Sequence, residues 1–219
     1  MPDTTTALAP TPPAPGGAPR PPRDAAPRGT SLTLACSLLA SVFLGGAVLA
    51  LAPGQNPVDS WGFSVFPNVL QSPFLRLMSD LGLAPVTIAV AVVAAVVGRR
   101  HPRRALACLV GPAVAVGGAE LLKILVGRRF EGALCWPSGT TAAVTASVTV
   151  VALVLNGRAR LAAVLLGAPV VVFEVVALVA FRWHYLSDAL GGADLGVASV
   201  LFVDAVLHRL RFRLRVPVR

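Results

Sequence analysis

Six apolar runs separated by short polar turns constrain this chain more than any motif within it. They are Ser31–Ala52, Leu81–Gly98, Ala105–Val126, Gly139–Leu155, Leu161–Phe181 and Ser187–Leu207. About 20 apolar residues in a helix span the hydrocarbon core of a bilayer, where backbone groups must be satisfied within the segment itself. The spacing predicts an all-α integral membrane protein, a six-transmembrane-helix bundle over residues 31–208. Composition points the same way. Of 219 residues, 55% are hydrophobic and 13% charged, with mean hydropathy +0.75. A water-soluble domain cannot bury so much apolar surface.

The flanks differ. Residues 1–30 hold nine of the nineteen prolines and no apolar periodicity, the composition of a disordered tail. Pro53–Asp80, with WGFSVFPNVL, is too interrupted by proline for a span and reads as an interfacial loop carrying Trp61. Residues 209–219 form a basic tail. Cys36, Cys108 and Cys135 are scattered, so neither a disulfide framework nor a metal site is expected, and no cofactor is implied.

Charge sets the expected direction of insertion. With the N-terminus in the cytoplasm, most of the nineteen Lys and Arg fall on the cytoplasmic side, in the two tails and the turns at 99–104 and 158–160. Only Arg76, Lys123, Arg128, Arg129 and Arg182 lie outside. Such asymmetry predicts a multi-pass protein of the plasma membrane with both termini cytoplasmic. The net charge of +9 is then an orientation signal and a contact for membrane lipids, with nucleic acid excluded as a partner.

Four of the outward cations flank two short turns, VGRRFEGALCWPSGTT and FRWHYLSD. Lys123, Arg128 and Arg129 close the third span; the bland reading is snorkelling to headgroups. Ser138 and Gly139 open the fourth, where a helix start offers free N–H groups suited to phosphate, although Ser138 can serve merely as an N-cap. His184 and Asp188 stand four apart and share a helix face. A carboxylate there can hold one imidazole nitrogen and leave the other as nucleophile or base; the alternative is an interfacial hydrogen bond within an aromatic belt. Glu120, Glu174, Asp194 and Asp204 also lie in apolar runs, where carboxylates face protein or water.

Lysine and arginine ending one span, PSG opening the next, and HYLSD followed by glycines together resemble the type-2 phosphatidic acid phosphatase (lipid phosphate phosphatase) family, over about residues 75–205. The resemblance implies that Lys123 and Arg128 bind phosphate, with Arg129 a substitute for an arginine expected where Phe130 stands. Ser138 and the Gly139 amide would hold a phosphoryl oxygen. His184 would attack phosphorus to give a phosphohistidine, oriented by Asp188, without metal. The family's third-motif arginine falls at Leu178, and Arg182, one turn later, could reach the same oxygen. Thr140 stands where the family carries a histidine general acid.

A threonine hydroxyl donates a hydrogen bond but gives up no proton near neutral pH. The expected function is therefore hydrolysis of a lipid-linked phosphate or diphosphate, including polyprenyl diphosphate, at the extracytoplasmic face. Two alternatives remain open: a catalytically impaired relative that binds phosphorylated lipid as sensor or scaffold, and a small transporter using the intramembrane acids.

Overall fold

The computed structural model describes residues 28–66, 73–80 and 84–214. In chain order the helices are α1 (Arg28–Leu51), α2 (Pro57–Val65), α3 (Pro73–Asp80), α4 (Ala84–Val97), α5 (Pro102–Val126), α6 (Gly139–Val154), α7 (Gly157–Ala180) and α8 (Leu186–Leu214). A 3-10 turn at Gly98–Arg100 leads into α5. A hairpin of β1 (Arg129–Phe130) and β2 (Ala133–Leu134) leads from α5 to α6, pairing Arg129 with Leu134 and Phe130 with Ala133.

Each expected apolar run overlaps one of these helices: α1, α4, α5, α6, α7 and α8 in turn. Among the described residues four are long and apolar enough to cross a membrane: Ser31–Leu51, Pro102–Val126, Gly157–Ala180 and Leu186–Leu210. Gly139–Val154 is apolar but shorter, 16 residues, and α4 has 14. At about 1.5 Å per residue these two reach roughly 24 and 21 Å, less than a core of ~30 Å. The fold is an all-α membrane bundle in which four crossings follow from length alone.

Its burial pattern is that of a protein in lipid. Leu44, Leu51, Ile124 and Leu166 are exposed, whereas Ala115, Ala119, Ala142, Ala146 and Val200 form the core. Lipid tails solvate leucine as well as protein does, so helices gain chiefly by letting backbones approach. Helix α8 packs against α1, α5 and α6, and α6 also meets α5 and α7. One such approach is at Gly192, where a Cβ would stand 2.3 Å from the carbonyl oxygen of Ser138.

Three expectations about segment limits change. The 53–80 segment holds α2 and α3 instead of a plain loop. Helix α2 starts because Asn56 accepts from the Asp59 amide at 3.0 Å while the Asp59 carboxylate accepts from the Asn56 amide, with Pro57 preset for the first turn. Helix α1 begins at Arg28, inside the expected tail, and α8 runs to Leu214, through the first half of the expected basic tail. Residues 1–27 and 215–219, where those tails were otherwise expected, lie outside the described residues.

A Gly192→Ala protein, overpacked between α6 and α8, is expected to lose about 1–3 kcal/mol. A thermal unfolding scan in detergent checks this, with the midpoint falling relative to the parent.

Candidate active site

The site is assembled around a buried arginine. Gly127, at φ 68°, caps α5 in the left-handed conformation that glycine adopts without strain, its amide donating to the Lys123 carbonyl at 3.0 Å. The chain then turns back, and Arg128 enters the protein with no exposed surface. Its Nη2 meets Asp59 Oδ2 and its Nη1 meets Asp188 Oδ1, each at 2.5 Å. Ser187 Oγ accepts from Nη1 at 2.7 Å, and the carbonyls of Pro53 and Gly54 accept from Nε and Nη2. Burial opposes the charge, but Asp188 and Asp59 more than offset it and raise the guanidinium pKa further. Below it the Tyr185 ring lies 4.2 Å from the guanidinium carbon.

Arg128 thereby joins the ends of α1, α2, α5 and α8. Asp188 extends the junction: its Oδ2 accepts from the Tyr185 amide at 3.1 Å, and its carbonyl accepts from the Ser138 amide at 2.9 Å. Ser138, fully buried, caps α6 by accepting from the Thr141 amide. Helix α7 closes with the Trp183 amide donating to the Leu178 carbonyl at 2.9 Å. That turn delivers His184 just ahead of α8, with Nδ1 3.7 Å from Asp188 Oδ2. At this separation the imidazole is aimed at the carboxylate without being bonded to it; such contacts tighten when substrate binds.

His184 opens onto a cavity of about 450 Å³ that Glu120, Lys123, Gly139 and Thr140 also line. Lys123 Nζ is 2.7 Å from Glu120 Oε1, and both lie beside Gly139 at the start of α6. The first-turn amides of α6 add a partial positive charge there. The remaining wall is apolar, including Ile88, Ala91, Leu109 and Val116. From Leu109 to Lys123 it follows α5 for about 21 Å of helix axis. A mouth holding the Lys123–Glu120 pair and the first-turn amides of α6 thus continues into a hydrocarbon slot.

Lys123, Gly139, Thr140 and His184 therefore meet at one cavity, with Asp188 behind the histidine. Arg128 and Ser138 do not line it, because the first is occupied by carboxylates and carbonyls and the second by the α6 amide. Arg129 is exposed and donates to the Gly132 carbonyl within the hairpin at 2.7 Å. Arg182 stacks on Phe63, 3.9 Å from the ring centre. Neither arginine lines the cavity. Phe130, at the expected arginine position, packs edge-on to Tyr185 at 4.5 Å, and Leu178 is buried. Cys135 is buried, and burial and then the nearby Asp188 charge push its thiol pKa up. Asp59 is the residue that sequence reasoning passed over. Its signal was Asn56-Pro57-Val58-Asp59, a helix-start pattern inside a segment read as loop.

Fold and site define a membrane bundle with histidine, lysine and a helix start converging at one end. The fold is similar to the crystal structure of the first transmembrane PAP2-type phosphatidylglycerolphosphate phosphatase from Bacillus subtilis. The likeness has a TM-score of 0.59 at 19% sequence identity and covers 82% of this chain and 98% of that one. At that identity it establishes the fold. No family model matches the chain, and no curated protein matches it either.

Breaking the buried charge cluster is expected to be costly. Arg128→Met leaves Asp59 and Asp188 facing each other without a cation, a loss of about 3–5 kcal/mol. Unfolding of the purified variant in detergent, read by intrinsic fluorescence against temperature, checks this.

Proposed function

We propose that this protein is a membrane phosphatase that hydrolyses a lipid-linked phosphate or diphosphate at the extracytoplasmic face of the plasma membrane, with both termini cytoplasmic. The observation that carries the reading is the cavity that Lys123, Gly139, Thr140 and His184 share, which runs on into an apolar slot beside α5. A phosphorylated headgroup matches the mouth, and its hydrocarbon chain matches the wall. On this proposal all six apolar helices are crossings, an arrangement that puts Lys123, the start of α6 and His184 together at the outer end.

In the proposed reaction Asp188 holds Nδ1 of His184, so that Nε2 attacks phosphorus. Lys123 and the α6 amides offset charge on the phosphoryl oxygens, a preorganised arrangement that accelerates transfer without reorganising in the transition state. The lipid oxygen departs, and water then cleaves the phosphohistidine to release phosphate. Arg128 acts indirectly: it fixes Asp188 and, through Ser187, the start of α8.

Thr140 governs the choice of leaving group. Positioned proton donation is worth roughly 10²–10⁴ in rate, and a hydroxyl alone does not supply it. A diphosphate loses a stabilised phosphate, whereas phosphatidic acid loses an alkoxide. Detergent-purified protein is expected to release vanadate-sensitive phosphate faster from a polyprenyl diphosphate than from phosphatidic acid. Release should vanish in His184→Ala. Thr140→His is expected to raise monoester hydrolysis by at least about tenfold. Equal rates on the two lipids would remove the leaving-group argument.

A second reading keeps the same cavity without turnover. It is favoured by the 3.7 Å gap between His184 and Asp188 and by the Glu120 carboxylate already on Lys123. Phosphatidic acid or polyprenyl diphosphate retained by the protein, with no phosphate released from either, selects it.

A further inference from the structure

Among the described residues that line the cavity, Lys123 is the one lysine or arginine and Glu120 the one acid. They stand three apart on α5 and share a face, with Nζ 2.7 Å from Oε1. Both lie against the first residue of α6: a Cβ on Gly139 would come 3.2 Å from Glu120 Oε1 and 3.6 Å from Lys123 Nζ. At that helix start Ser138 takes the Thr141 amide with its Oγ and the Ala142 amide with its carbonyl. The Gly139 and Thr140 amides have no acceptor among the described residues. A carboxylate thus stands where a lysine and two unbonded amides meet, the place a phosphoryl oxygen would take.

The two partners are held differently. The Lys123 side chain is 16% exposed and the Glu120 side chain 60%. Lysine is fixed by its surroundings, whereas the glutamate can swing out of the mouth without unpacking its neighbours. An ion pair this open is worth only a few-fold in an equilibrium. It yields to an anion with more contacts, and three phosphoryl oxygens can accept from the ammonium and both amides together. The apolar wall beside the mouth suits any hydrocarbon chain, so every phospholipid in the bilayer competes for entry. A bare lysine beside open amides would hold their phosphodiester groups.

We infer that Glu120 is an internal anion, keeping Lys123 and the start of α6 occupied until a terminal phosphoryl group displaces it, and so sets which membrane lipids the site admits. The inference takes its ligand from the phosphatase reading. An internal competitor weakens every anion by one common factor, the fraction of molecules in which it has swung away. A strongly held phosphomonoester or diphosphate still fills the site. A weakly held phosphodiester, with a single negative charge, no longer does. Glu120 acts through Lys123 and takes no part in the transfer itself.

The test uses the full chain in detergent and reads binding first, from the rise of the thermal unfolding midpoint with added ligand. The probes are inorganic phosphate and short-chain phosphatidylglycerol, a phosphodiester. Glu120→Gln removes the charge and keeps the shape. The dissociation constant for phosphate is expected to fall by at least about threefold, and that for phosphatidylglycerol by the same factor. Glu120→Ala should repeat both shifts. On polyprenyl diphosphate the gain appears in KM and not in kcat. Unchanged or weaker phosphate binding in the two variants overturns the inference. A gain for one anion alone, or no response to phosphate from any of the three proteins, does so too. Tighter binding of both anions, with no phosphate released from polyprenyl diphosphate by any of the three, upholds the internal anion and overturns the phosphatase reading.

Discussion

A guanidinium sealed inside the protein is the constraint from which the rest of this end of the molecule follows. A cation without water requires anions and carbonyl oxygens at close range, and losing any of them leaves the others uncompensated. Arg128 recruits Asp59 and Asp188, residues far apart in sequence, together with the carbonyls of Pro53 and Gly54. Each contact fixes an element: the end of α1, the start of α2 and the start of α8. The His184 imidazole sits four residues before Asp188, so its position is set by this charge cluster, not by its own hydrogen bonds.

Close packing finishes what the charge begins. The Trp136 ring is buried between α1 and α8, where a Cβ on Gly191 would come within 2.4 Å of it. Ser138 reaches the Asp188 carbonyl only because Gly192 lets the two backbones touch. The amide-rich start of α6 and the histidine turn are thus two sides of a single contact. Lys123, at the end of α5, completes the cavity mouth. Leu44, Leu51, Ile124 and Leu166, by contrast, face outward, where lipid takes them.

Much of this was written in the residues. Apolar run length marked out the main helices, since a bilayer demands length more strictly than water does. PSG marked a helix start; the expectation that His184 and Asp188 share a helix face does not hold, because His184 sits in the turn before α8 and only Asp188 is on the helix. The role of Arg128 was not. A basic residue beside a helix end reads as exposed unless the acids that will bury it are known, and one of these, Asp59, lay in a segment broken by prolines. Glu174 was visible as an acid in an apolar run, but its complete burial in α7 was not. Contacts between distant segments are set by packing, which periodicity does not encode.

The order of synthesis gives the arginine cluster a last consequence. Asp59 emerges from the ribosome early, Arg128 midway and Asp188 near the end, and the cluster closes only when all three have met. Until α8 is made, Arg128 has Asp59 but lacks Ser187 and Asp188, and His184 has no carboxylate beside it. Closure of the cluster is therefore a checkpoint in assembly, passed only when α8 arrives beside α2 and the end of α5.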